Sequence, residues 1–328
     1  MRDIGALAQT AAQWLTTIVG ALLTALSAIA IYFTAVLLRT AHKRGELAPK
    51  VEAVGLGAVT NFFDTLGIGS FAPTTAYMKL RKMAPDSYFP AILNAGHALP
   101  TVTQALIFIQ PRHPFPTPIL AHNSSSVTLV RVDPILLLAC IVASCLGAFV
   151  GAPMVQKSPV RLVQGVVGVA LLIAATLFAL GNLGHLPAGG DALTLPTALF
   201  IVAVAGHFVM GVLMMFGIGL YAPSLVLLSL LGLNPAAAFP IMMGSCAFLM
   251  PISSVRFVQS DRIDLRIVIG MALGGIPAVL VAALIVKSMD LVTLRWLVVV
   301  VVLYAAALLL RSAFFGGKPA TQAAPANG

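Results

Sequence analysis

The sequence predicts an all-α polytopic membrane protein made of two inverted repeats. Each repeat is a broken re-entrant helix pair plus three transmembrane helices, and one extra N-terminal transmembrane helix precedes them. Three observations carry this expectation. The 328 residues are 59% apolar and 9% charged, with a mean hydropathy of +1.02, whereas soluble domains run at about 45–50% and about 25%. Apolar runs of spanning length recur along the chain. The sequence also matches itself after a shift of 150 positions.

The first apolar run extends from Trp14 to Leu38 and ends at Arg39, Lys43, Arg44 and Lys50. It exceeds a signal-peptide core of roughly 7–15 residues, so it reads as a retained helix. Further runs are Tyr88–Ile109, Pro134–Val155, Leu162–Leu180, Ala236–Val258, Ile267–Val286 and Leu294–Leu310. The segments Val51–Lys82 and Pro196–Leu231 are longer than the roughly 20 residues a span needs. Each carries glycines and a proline near its middle: Gly67, Gly69 and Pro73 in one, Gly217, Gly219 and Pro223 in the other. Such residues break a helix into two half-helices. Unwound backbone is tolerated at membrane depth only beside protein or a water-filled cavity.

The two breaks are the centres of the repeat. Gly67-Ile68-Gly69 falls on Gly217-Ile218-Gly219, and Phe71-Ala72-Pro73 on Tyr221-Ala222-Pro223. Pro85 falls on Pro235 and Phe89-Pro90 on Phe239-Pro240, with no gap from Ala53/Ala203 onward. The expected organisation is an N-terminal transmembrane helix and basic loop (1–50), repeat one (51–180), a loop (181–195), repeat two (196–312) and a disordered tail (313–328). If each broken segment dips in and returns, fourteen of the nineteen basic residues gather on one side. Arg2, Arg112, Arg131, Lys287 and Arg295 are left on the other. The positive-inside rule makes the rich side cytoplasmic. Each repeat then holds an odd number of crossings, which inverts the second copy. Inverted repeats with broken helices are a common transporter architecture, with substrate near the midplane.

The stretch NFFDTLGIGSFAPTT (Asn61–Thr75) and its repeat MMFGIGLYAPS (Met214–Ser224) resemble the paired Gly-rich signatures of the sulfite exporter TauE/SafE family of membrane permeases. The family's usual Gly-x-Gly-Gly-Gly stands here as Gly-x-Gly-Ser-Phe and Gly-x-Gly-Leu-Tyr. The resemblance implies a multi-pass permease of the cell inner (plasma) membrane that moves sulfite, a sulfonate or a related organic anion.

The candidate substrate site follows from the breaks. Helix N-termini just after them would aim first-turn N–H groups and the helix dipole at an anion. Gly67, Gly69, Gly217 and Gly219 allow close backbone approach, and Ser70, Thr74, Thr75 and Ser224 add hydroxyls; Tyr221 and Ser245 complete the second copy's share. The alternative is that the glycines only permit tight helix packing. Asn94, His97, Thr101 and Gln104 lie three, four and three apart, on one helical stripe. That stripe reads either as a cavity wall or as interhelical hydrogen bonding. His207, among apolar neighbours, reads as structural. Asp64 is the one acid deep in an apolar run. An intramembrane carboxylate is by default a functional group, and Asp64 is the candidate to carry a coupling proton. Its alternative role is a buried acid bonded to Asn61 or a nearby backbone amide.

Other classes are disfavoured. The basic residues are scattered between apolar runs, which argues against nucleic acid as a partner and for membrane lipid. Cys140, Cys145 and Cys246 sit inside apolar runs with no disulfide or metal spacing. There is no Gly-rich loop ending in Gly-Lys-Ser/Thr, no His-Glu-x-x-His and no Gly-x-Ser-x-Gly, so no cofactor, metal or catalytic residue is expected. Every lysine lies at a run end or beyond, leaving none for a retinal Schiff base. A secondary transporter is the leading reading; a passive anion channel and, behind it, an intramembrane enzyme are the alternatives. The sequence allows a homo-oligomer.

Overall fold

The computed structural model describes residues 2–85, 88–109, 133–154, much of 165–183, 190–215 and 218–315. All its regular elements are helices: α1 (Arg2–Arg44), α2 (Val51–Thr65), α3 (Phe71–Arg81), α4 (Phe89–Ile109) and α5 (Pro134–Met154) in the first half. The second half holds α6 (Thr197–Met215), α7 (Tyr221–Leu230), α8 (Pro235–Gln259), α9 (Leu265–Ser288) and α10 (Leu291–Phe315). Among the described residues six helices are long and apolar enough to cross a membrane: Thr17–Arg44, Phe89–Ile109, Pro134–Gly151, Thr197–Met215, Pro235–Gln259 and Leu265–Val286.

The expected runs map onto these helices with shifts. The Trp14–Leu38 run lies inside α1, which continues to Arg44. The Leu294–Leu310 run lies inside α10, which passes the expected boundary at 312 and ends at Phe315. The run Leu162–Leu180 and the loop 181–195 lie partly, and the rest of the tail wholly, outside the described residues. Four helices start where a short polar side chain accepts a first-turn N–H, which satisfies donors that a helix leaves unpaired. Asp133 caps α5, Asn234 with Pro235 caps α8, Asp264 caps α9 and Asp290 caps α10.

Both long segments break where glycine and proline stand. The first gives α2, of 15 residues, and α3, of 11. The turn between them holds Gly67 at φ +94° and Gly69 at φ +84°, a region L side chains rarely adopt. The second gives α6, of 19 residues, and α7, of 10. The first arm of this segment is therefore longer than a half-helix and matches a full span.

Each broken segment returns to its own start. Arg81 Nε and the Tyr77 hydroxyl, at the end of α3, donate to Glu52 Oε1 at the start of α2, at 2.7 and 3.0 Å. In the second segment the Ala192 N–H, just before α6, donates to Gly232 O at 3.2 Å. The Asn234 N–H, just after α7, donates back to Ala192 O at 2.8 Å.

The packing is reciprocal between the repeats. Helix α2 lies along α9 of the other repeat, and α6 lies along α5 of the other repeat, while α4 and α8 pair at the centre. Small residues allow the close approach, as is usual between membrane helices. A Cβ at Gly274 of α9 would strike the backbone oxygen of Val54, and one at Gly147 of α5 would strike that of Phe208. One end of the bundle is tied by charge. Arg44 donates to Gln259 O and Ser260 O at the end of α8, and Glu46 accepts the Leu265 N–H at the start of α9. A cation at a helix C-terminus and an anion at an N-terminus both suit the macrodipole. Lys50 pairs with Asp264 at 2.7 Å at the same end.

Candidate functional site

The two breaks face each other across a small buried cavity between α2, α4, α6 and α8. Gly69, Ser70 and Phe71 come from the first break, and Gly219, Leu220 and Tyr221 from the second. These are the same positions under the 150-residue shift, so the cavity lies where the two copies meet. Asp64, Thr101, Met214, Cys246 and Met250 complete the wall. Asp64 and Met214 are also matched positions. Repeat one thus supplies a carboxyl and aliphatic hydroxyls, and repeat two supplies a phenol, sulfur and apolar surface.

The polar stripe of α4 is buried, as are Asp64, Ser70 and Thr74. Gln104 is the centre of one network. Its Nε2 donates to Asp64 Oδ2 and to Thr65 Oγ1, each at 3.0 Å. The Tyr221 hydroxyl, from the first turn of α7, donates to Gln104 Oε1. Asp64 is also bonded by the side chain and backbone of Ser70. Asn61, offered by the sequence as a partner for Asp64, instead faces His97.

A second network holds the first hairpin in shape. Asn61 Nδ2 donates to Gly57 O, so its Oδ1 is the acceptor for His97 Nδ1 at 2.8 Å. With Nδ1 donating, Nε2 of a neutral imidazole can only accept, and it takes the Thr74 hydroxyl proton at 3.0 Å. The second hairpin repeats the device with a histidine from another helix. His207 Nδ1 donates to Ala203 O at 2.8 Å, and its Nε2 accepts from the Ser224 hydroxyl at 2.9 Å. Thr74 and Ser224 are matched positions, each in the first turn after its break. Their hydroxyl protons point at histidines, so neither is left to donate to a ligand.

The candidate residues therefore separate by position. Gly69, Ser70, Thr101, Gly219, Tyr221 and Asp64 line the cavity, and Gln104 stands behind Asp64. His97, Thr74 and Ser224 form the imidazole–hydroxyl clamps. Gly67 is packed against Leu225, Met242 and Phe239. Asn94 donates to Pro90 O and leaves its buried Oδ1 without a protein partner, as is the buried Ser245 hydroxyl. Thr75 is half-buried and stands outside the cavity wall. Gly217 lies outside the described residues. Sequence reading missed Asn61 as a partner of His97 and the cavity-lining Met214, Cys246 and Met250. The 150-residue shift pairs Met214 with Asp64 and was the available signal for it. Among the described residues no group of three metal-ligating His, Cys, Asp or Glu side chains occurs.

Among the described residues, six apolar helices of spanning length, two broken segments and a buried polar cavity between the breaks define a multi-pass membrane protein. Residues 198–327 match the family model Sulfite exporter TauE/SafE. That stretch, which includes the second break, is similar to TauE/SafE-family membrane transporters. No curated protein and no solved structure matches the chain.

Proposed function

We propose that this protein is a secondary transporter that carries a small anion, such as sulfite, a sulfonate or a related organic anion, through the cavity between its two breaks, with Asp64 carrying a coupling proton. The observation that carries the reading is the cavity itself: matched residues of two hairpins meet there around a buried carboxyl. The first-turn backbone donors of α3 and α7 lie at this wall, and helix N-termini favour anions. Proline follows in both first turns, where a missing N–H costs no helical bond. A carboxyl that takes up and releases a proton as the cavity opens to either side would tie anion movement to the proton gradient.

The inverted relation of the repeats belongs to the same reading. Hairpin one closes at the end where Arg44 meets the α8–α9 turn, because α2 begins only seven residues after Arg44 and Lys50 pairs with Asp264. Hairpin two closes beside Asn234, at the opposite end of the 25-residue α8. The hairpins therefore open toward opposite faces. With the charge bias, the Arg44 end is cytoplasmic. Single cysteines at Gly45 and Lys82 are expected to react with a membrane-impermeant thiol reagent from the same side, and one at Asp191 from the other. Labelling of Gly45 and Lys82 from opposite sides would make the first segment a crossing and the repeats parallel.

Counterflow of labelled sulfite in proteoliposomes tests the transport reading, since a carrier exchanges and a passive channel does not accumulate. The site is tested by Gly219→Ala. A Cβ at Gly219 meets nothing within 4 Å, so the fold should be unaffected, yet the methyl enters the cavity wall. Sulfite affinity is expected to fall about tenfold or more, the scale of one misplaced methyl group in a fitted pocket. Unchanged affinity with intact counterflow would move the anion away from this cavity.

A further inference from the structure

We propose that Tyr221 and Gln104 form a latch that reports the position of the second hairpin to Asp64, making both of them positioning residues rather than anion ligands. The inference rests on the proton-coupled reading of Asp64 and adds the means by which the distant repeat acts on it.

The argument begins with the amide. A glutamine side chain can be turned over, exchanging its oxygen for its NH₂, and only its partners decide which way it points. Thr65 fixes which end faces it: its proton goes to Asn61 O at 2.8 Å, so its oxygen can only accept and meets the NH₂ group. Tyr221 holds the other end. Its hydroxyl donates to Gln104 Oε1, which leaves Nε2 to supply both remaining bonds, to Asp64 Oδ2 and Thr65 Oγ1. Gln104 lies on α4 and Asp64 on α2, both in repeat one. Tyr221 is the first residue of α7, in repeat two. The matched residue in repeat one is Phe71, which has no hydroxyl, so the latch runs in one direction only.

Movement of the second hairpin away from α4 withdraws the tyrosine. The amide oxygen then loses its donor and the side chain its tether to repeat two, so Asp64 loses a firmly held donor. Transporters of inverted-repeat type gate by movement of one repeat against the other, so the state of the cavity and the protonation of its carboxyl become linked through one side chain. The other groups facing Asp64 are Ser70 on the first break, Thr101 on α4, Met214 on α6, and Cys246 and Met250 on α8. Among these described neighbours Tyr221 and Cys246 are the only titratable groups and none is charged, so nothing else there supplies a competing charge.

The test reads the carboxyl directly and needs no substrate. Purified protein in lipid is titrated across acid and neutral pH by infrared difference spectroscopy, and the Asp64 carboxyl C=O stretch is assigned by its disappearance in Asp64→Asn. In Tyr221→Phe, which keeps the ring and its packing, that stretch is expected at higher frequency, because a carbonyl stretch rises when it loses a hydrogen-bond donor. Gln104→Leu should move it in the same sense and leaves the question open to test if the tyrosine variant does not fold. A Tyr221→Phe spectrum identical to the parent overturns the latch. So does a shift in Tyr221→Phe that persists when it is added to Gln104→Leu, or the absence of an Asp64 carboxyl band at every pH. Failure of sulfite counterflow bears instead on the transport reading, and leaves the infrared result standing.

Discussion

Asp64→Asn is expected to retain anion binding and exchange but to lose accumulation driven by a pH gradient. Asparagine matches aspartate in size, and its oxygen can still accept from Gln104 and Ser70, so the network and the fold survive. What disappears is the exchange of a proton. In a carrier moving one proton per anion, a gradient of one pH unit supports about tenfold accumulation, or about 1.4 kcal/mol. Proteoliposomes loaded with buffer and diluted across a pH step read this directly with labelled sulfite. The parent should accumulate and Asp64→Asn should only equilibrate, while counterflow continues in both. Undiminished pH-driven accumulation by the variant would make Asp64 a structural acid. His97 would not then be a ready substitute: its two nitrogens are already engaged by Asn61 and Thr74, and it stands outside the cavity wall.

The legible parts of this molecule were those written as period and punctuation. Gly67, Gly69 and Pro73 marked the first break because backbone at positive φ and a missing N–H leave no alternative. The shift that superposes them on the second copy then placed the two halves of the cavity opposite each other. Asp133, Asn234, Asp264 and Asp290 stand at the ends of apolar runs. Their positions before Pro134, Pro235, Leu265 and Leu291 are also the mark of helix caps. Partnership across helices was not legible. The stripe Asn94, His97, Thr101 and Gln104 could be placed on one face of a helix, but a periodicity does not say what faces it. Its four members went to four fates: His97 to the clamp, Thr101 to the cavity, Gln104 to the latch and Asn94 to the Pro90 carbonyl of its own helix. His207 and His97 share a role although the shift does not match them, because each reaches a matched hydroxyl from a different helix. Equivalence of function here is carried by Thr74 and Ser224, and the histidines answer to them.

The largest effect on the fold is expected at Gly274. A Cβ there would collide with the backbone oxygen of Val54 and lie 2.8 Å from its carbonyl carbon and 3.0 Å from Ala58 N. Backbone cannot turn aside as a side chain can, so α2 and α9 must separate. That separation loosens the first arm of the first hairpin, which carries Asn61 and Asp64. Gly274→Leu should therefore cost on the order of 3 kcal/mol from overpacking and lower the melting temperature by roughly 5–10 °C. Sulfite counterflow should fall with it. Gly147→Leu should do the same from the other side, because that Cβ would meet the backbone oxygen of Phe208 on α6. Gly55→Ala is the control: it lies on α2 itself, yet its Cβ meets nothing within 4 Å, and alanine favours the helix. A melting point for Gly274→Leu equal to that of Gly55→Ala would mean that α2 is not seated on α9. The reciprocal exchange of helices between the repeats would then not hold the two hairpins in place, and the cavity would need another support.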